Sequence, residues 1–427
     1  MAFLDSYGLI IVFSLTIILS YFFNVLAKKS GIPAVLMLIG LGVIIQVLLW
    51  VFDEKSLDLA RPLEVLGVIG LILIVLEAAL DLKLKKEKLG LIIKSFLVAL
   101  LGLGGTAYLA ALVLNYMMGV GVLSALLYTI PLSVLSSAII LPSIDGFGEE
   151  KREFMIYEST FSDIIGIISF YSVRTMVTGS DSSESVYGDV FGNLALTVIF
   201  SVIISYILIY ILQNIKGHVK LFLLIAILLL LYAVGGIFHL PSLIIILIFG
   251  VILNNHKIFF KGGLMKLLDK ERVEEVLGDF KIITAESAFV VRTFFFIIFG
   301  WSVYLGSLLS FKVIGFGLII LAIIYIVRAI ILFVFNGKDI IPPLFLAPRG
   351  LITILLFFAI PDKLSVGLEF QGVLLFVILG SCLIMAWSLV AHKNKLLTIQ
   401  EDEDLELLES EEGETEIILD EENTSSH

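Results

Sequence analysis

Between Tyr157 and Gly166 the sequence reads YESTFSDIIG, which sets two carboxylates, Glu158 and Asp163, among hydroxyls in a run otherwise suited to lipid. An unpaired ionised group in that setting costs several kcal/mol, so each must be paired, protonated or turned to a polar cavity. On a helix Ser159 and Asp163 stand at i and i+4 on one face, with Ser162 beside them. Glu158 and Asp163 are five residues apart, about 140° around the helix and roughly 7.5 Å along it, so the two carboxylates face different neighbours. That division suggests different work. Glu158 suits a lock to an arginine, whereas Asp163, Ser159 and Ser162 offer hard oxygen ligands at a water-accessible spot. Such ligands fit Na⁺, Li⁺ or K⁺, and nothing in the chain looks like a transition-metal site. A buried aspartate can hold either a proton or a cation and exchange one for the other. A purely structural set of ion pairs is the alternative.

The elements that must position these groups are legible in the composition. The chain has 427 residues, 59% hydrophobic and 16% charged, with a mean hydropathy of +1.10. A soluble domain is about a quarter charged, so this is a polytopic membrane protein. One cysteine, Cys382, excludes an internal disulfide framework. With about 20 apolar residues needed per crossing, thirteen spans are expected: 7–27, 32–52, 62–81, 90–116, 120–143, 152–178, 188–213, 219–236, 240–255, 282–303, 309–335, 340–361 and 368–391. The first reads as an uncleaved span, because Asp5 stands where a signal peptide would be basic. One set of alternate loops holds nineteen Lys and Arg, while the other holds only Lys55, Arg61 and Lys363. By the positive-inside rule the N-terminus is external and the C-terminus cytoplasmic. The net charge of −11 comes from the end of the chain: residues 401–427 carry thirteen acids and no Lys or Arg. Residues 396–427 therefore read as an acidic, disordered cytoplasmic tail, separate from a transmembrane domain over 1–395. The loop 256–281, basic with scattered Leu, Val and Phe, reads as an amphipathic connector lying on the inner membrane surface.

Charges within the spans narrow the choice of partners. Lys94, Lys312 and Arg174 lie near span ends and can snorkel. Arg328, in IIYIVRAIILFVF, and Arg292, in FVVRTFFFIIFG, lie deep; Glu77, in ILIVLEAALDLKLKK, is a further carboxylate within a span, with a cytoplasmic-side interface position as its alternative. Arg292 and Glu286 share a span, and Arg292 competes with Arg328 as the partner of Glu158. Two spans are interrupted at mid-length. The fifth carries Pro131 followed by Ser133, Ser136 and Ser137; the twelfth carries Pro348, Arg349 and Gly350. Transporters bind ions where helices unwind in corresponding places of two repeated halves. Pairing spans 1–6 with 8–13, and leaving span 7 as linker, makes these breaks equivalent and the halves inverted. An ordinary proline kink is the alternative at either break.

In these residues the sequence resembles the monovalent cation/proton antiporter superfamily, specifically its electroneutral sodium/proton exchanger branch, over about residues 1–395. VLEAALDLKLKK is similar to that branch's third-span ending, and ESTFSD to its Glu-Ser-x-x-Asn-Asp signature. IVRAIILFVF resembles its span-eleven arginine motif and APRGLITILL its span-twelve Arg-Gly motif. The resemblance implies an all-α fold of about 13 transmembrane helices, built as two inverted six-helix repeats with crossed broken helices. It implies a transporter rather than an enzyme, in a prokaryotic cytoplasmic membrane. It further implies a homodimer, with neither cofactor nor nucleic-acid partner. Asp163 would then carry the ion and the proton in turn by alternating access, with Ser159, Ser162, Ser136 and Glu77 as further candidate ligands. Glu158 would pair with Arg328, while Ser137, Pro348 and Arg349 would support the broken helices. Arginine does not deprotonate, so one exchangeable carboxylate suggests one cation per proton. Two departures stand out: Ser162 replaces the usual asparagine, and Ser136-Ser137-Ala138 replaces the usual Thr-Asp-Pro. The serine-rich break is similar to that of the potassium/proton branch, which leaves the ion open among Na⁺, Li⁺ and K⁺. An ion channel, an organic-anion/sodium symporter of the same fold and a non-transporting sensor are the other readings.

Overall fold

In lipid a backbone must satisfy its own hydrogen bonds, and a single chain segment can do so only as a helix. The computed structural model describes residues 6–51, 60–144, 147–178, 185–214, 220–237, 242–260, 269–302, 306, 308, 310–338, 340–361, 364 and 368–392. Along them run α1 (Ser6–Ser30), α2 (Ala34–Val51), α3 (Ala60–Asp81), α4 (Leu89–Met118), α5 (Val122–Ser133), α6 (Ser137–Ile140), α7 (Glu149–Thr178) and α8 (Ser185–Asn214). They are followed by α9 (Lys220–Ile237), α10 (Ser242–Asn254), α11 (His256–Phe259), α12 (Lys270–Ser302), α13 (Phe311–Asn336), α14 (Leu351–Phe358) and α15 (Leu368–Ala391). Every expected span has a helix at its place. The acidic tail, Lys55, Lys363 and residues 261–268 of the connector lie outside the described residues.

The helices sort into two groups by what they pack against. α4 lies on α5 and α7, α13 on α4 and α15, and α14 on α5. The second group centres on α12, which lies along α2 and α3, with α10 joining α3 to α8 and α9. Glycines permit the closest of these contacts. A side chain at Gly42 would strike the Ile297 carbonyl, and one at Gly300 the Ile39 carbonyl, so α2 and α12 meet backbone to backbone.

The connector differs from its expected form. Fifteen residues, 255–269, separate α10 from α12, α11 among them, and Lys270–Ser302 is one helix of 33 residues, about 50 Å long. Val273, Val276, Phe280, Thr284, Ala288 and Phe295 are buried along it. This three- and four-residue spacing runs without a break from the polar stretch into the apolar span. Within residues 270–281 of the connector the apolar stripe is thus continuous with the tenth span.

Candidate functional site

The fifth and twelfth spans unwind where they meet. Pro131 lacks an N–H to donate, which weakens the end of α5. The helix stops at Ser133, and Val134 and Ser136 are extended before α6 begins. In the other span, residues 346–350 are non-helical before α14. The two extended pieces share a backbone hydrogen bond from Ser136 N to the Pro348 carbonyl, 3.0 Å. A side chain at Gly350 would run into the Ser136 hydroxyl, so glycine sets how closely the strands cross. Arg349, itself buried, fastens the crossing on several sides. Its Nε donates to the Leu132 carbonyl at 2.6 Å, its Nη1 to Ala347 O at 3.2 Å, and its backbone N to Ser381 Oγ at 3.0 Å. The guanidinium thus meets one of the free carbonyls at the C-terminal end of α5, where positive charge is favoured.

Asp163 faces this crossing from α7. It is 2% exposed. Its Oδ2 accepts a hydrogen bond from the Ser137 hydroxyl, whereas Oδ1 has no hydrogen-bond partner among the described residues. A buried carboxylate oxygen left in that state is costly unless something positive joins it. Five residues before Asp163, Glu158 is fully engaged. Arg328 of α13 meets it in a fork, Nη1 to Oε1 at 2.6 Å and Nη2 to Oε2 at 3.1 Å. The same guanidinium donates from Nε and Nη2 to the Pro343 carbonyl, at 3.1 and 2.9 Å. Both side chains of the pair are buried, a geometry in which arginine's planar fork outperforms lysine.

A cavity of about 690 Å³ opens between the two helix groups. α1, α3 and α12 contribute Asn24, Glu77 and Arg292 to its wall, and the opposite side contributes Ser137, Ala138 and Arg152. The cavity reaches Ser137, whose hydroxyl is the one bonded to Asp163. Arg292 Nη2 stands 3.8 Å from Glu77 Oε1.

The sodium/hydrogen exchanger transmembrane model matches residues 12–391, nearly the whole chain. This chain belongs to that family. Two structures of the sodium proton antiporter MjNhaP1 from Methanocaldococcus jannaschii share its fold. One, at pH 8, superposes with a TM-score of 0.69 at 17% identity, covering 91% of this chain and 97% of that one. The other, an electron-microscopy map, gives 0.68 at 16% identity over 92% and 97%. Among curated proteins none matches the chain. The exchanger therefore has the antiporter fold of all-α helices and is a membrane transporter, not an enzyme.

In this exchanger the sequence-derived residues do not all converge. Asp163, Ser136, Ser137, Pro348 and Arg349 meet at the crossing, and Glu158 with Arg328 flanks it. Ser162 is turned to the break, its Oγ accepting from Leu135 N at 2.9 Å. Ser159 bonds back into its own helix, donating to the Met155 carbonyl at 2.8 Å. Glu77 lines the cavity wall opposite Ser137 rather than the crossing. The contest over Glu158 resolves in favour of Arg328, with Arg292 beside Glu77 and Glu286 exposed. Two supports were not anticipated: the Pro343 carbonyl under Arg328, and Ser381, which holds the Arg349 backbone while donating to Ile378 O at 3.0 Å. Ser381 and Ser388, hydroxyls in mid-span of the mostly apolar last helix, were the signal available for Ser381.

Proposed function

We propose that the exchanger swaps one monovalent cation for one proton at Asp163, electroneutrally, with Na⁺ or Li⁺ as the first candidates and K⁺ as the alternative. One observation carries this reading: a buried aspartate, one oxygen held by Ser137 and the other without a hydrogen-bond partner among the described residues, one hydroxyl from a cavity. A proton or a small cation satisfies that oxygen equally, and the two compete for it. Ser137 is the nearest supporting ligand, Ser136 and Ser162 shape the crossing, and Ser159 is left with a local role. Glu158 is neutralised by Arg328 and takes no part in the exchange. Alternation follows when the group carrying α5, α7, α13 and α14 moves against the group carrying α3 and α12. The loop charges support an external N-terminus and a cytoplasmic C-terminus, which puts the cavity's Arg152 end inside. The homodimer rests on the family resemblance.

The test is proton flux in inside-out vesicles holding a preset pH gradient, with Na⁺, Li⁺ and K⁺ added separately. One cation should collapse the gradient, and Asp163→Asn should abolish the response. Wild-type exchange in Asp163→Asn would overturn the assignment. A response to K⁺ alone would favour the potassium/proton reading, for which the serine-lined break without an aspartate is the supporting feature.

A further inference from the structure

The carboxylates of the cavity wall are not free to meet a cation. Glu77 and Asp81 stand one turn apart on α3, and each faces a base from α12: Arg292 Nη2 lies 3.8 Å from Glu77 Oε1, and Lys281 Nζ 3.9 Å from Asp81 Oδ1. The outer of these two pairs is 45% exposed at its acid, so water screens it. The inner pair is different. Glu77 and Arg292 are 25% and 18% exposed and lie in the same cavity as Ser137. Next to Arg292, Thr293 shares a buried hydrogen bond with Ser20 of α1, 2.6 Å between hydroxyl oxygens. That bond ties α12 to α1 beside Arg292, on the wall that also carries Glu77. At 3.8 Å the guanidinium is beyond a direct hydrogen bond. It neutralises Glu77 without closing a fork on it, unlike the buried clamp of Arg328 on Glu158.

Resting on the proposed exchange at Asp163, we propose that Arg292 is a positioning residue for cation uptake: a tethered counter-ion that occupies the field of Glu77 until an incoming cation displaces it. The loose contact supplies the reversibility. Both residues sit on the α3–α12 wall, while Ser137 and Asp163 sit across the cavity. The device therefore acts on the cation as it arrives and sets the concentration at which exchange half-saturates. It does not set the rate at which the loaded site turns over.

The experiment is cation-dependent exchange in vesicles of the full-length protein, with the cation that drives wild type, read as half-saturating concentration against maximal rate. Arg292→Gln should lower the half-saturating concentration about fivefold, the effect of one unit charge at about 4 Å in water, at unchanged maximal rate. Arg292→Lys should keep the wild-type value, and Glu77→Gln should raise it. Because Arg292 acts through Glu77, its removal from a Glu77→Gln background should change the value less than about twofold. An unchanged or raised value in Arg292→Gln would overturn the proposal, and so would an equal effect in both backgrounds. Should Arg292→Gln fail to accumulate, a wild-type value in Glu77→Gln overturns it alone. Asp163→Asn in the same vesicles separates the two readings. If it still exchanges, the Asp163 assignment falls. If it is inactive while Arg292→Gln half-saturates like wild type, only the counter-ion falls.

Discussion

Arg328 joins three elements at one point, since its guanidinium bonds Glu158 of α7 and the Pro343 carbonyl that precedes the second break. Removing it strands a carboxylate that is 1% exposed, and breaking such a buried pair costs about 3–5 kcal/mol. Arg328→Ala should therefore lower thermal stability in detergent sharply, with Arg328→Lys recovering only part because the fork is lost. Wild-type melting of Arg328→Ala would remove the pair from the list of supports. The serines give a second, discriminating case. The Ser137 hydroxyl donates to Asp163, whereas that of Ser159 already serves the Met155 carbonyl. Ser137→Ala should raise the half-saturating cation concentration several-fold, while Ser159→Ala should leave it within about twofold, since the Ser159 hydroxyl bonds only into its own helix and not to Asp163. Reversal of that order in the vesicle assay would mean that the helical face, and not the crossing, supplies the ligands.

Among the elements, the crossing of the two unwound segments depends on one missing side chain. At Gly350 even a methyl group would meet the Ser136 hydroxyl, and overpacking of this kind costs about 1–3 kcal/mol. Gly350→Ala should weaken both stability and exchange, and adding Ser136→Gly should restore much of each. A double variant no better than Gly350→Ala would show that the clash lies elsewhere. The position of this crossing was legible in the sequence, because Pro131 and Pro348 with their serine and glycine neighbours interrupt the fifth and twelfth spans at matching places of the two halves. The spans were legible for a similar reason: lipid demands long apolar runs. What could not be read was which hydroxyl faces Asp163. Helical periodicity pairs Ser159 with Asp163 on α7, but Ser137 reaches it from α6 across an unwound peptide to which that periodicity does not apply. The connector shows a different limit of periodicity. Periodicity carries no information on where a helix with an apolar stripe ends, and here the residues 270–281 are continuous with the following span, with Val273, Val276 and Phe280 buried.

Across the whole molecule, the charges buried near the crossing determine what crossing the membrane costs. Among the described residues of the α4–α7 and α13–α15 group, Glu158, Asp163, Arg328 and Arg349 are the buried ionisable side chains of acidic or basic type. Two positive and two negative charges cancel when Asp163 is ionised. A proton on Asp163 and a monovalent cation on Asp163 each raise the sum by one, so the two loaded forms are electrically alike. Under the proposed exchange at Asp163, charge carried one way with the cation would return with the proton, and a full cycle would move none. Glu77 does not alter this count, because it sits on the opposite wall of the cavity with Arg292. Exchange in vesicles should then be insensitive to an imposed potential, changing less than about twofold. One uncompensated charge crossing the full field at 100 mV would be worth about 2.3 kcal/mol, or about fifty-fold in rate at the limit. A strongly voltage-dependent rate would mean that a second proton travels with the site. Glu158 is then the group to examine, since Glu158→Gln would abolish the voltage dependence if its fork to Arg328 opens during the cycle and leave it intact if the fork stays closed.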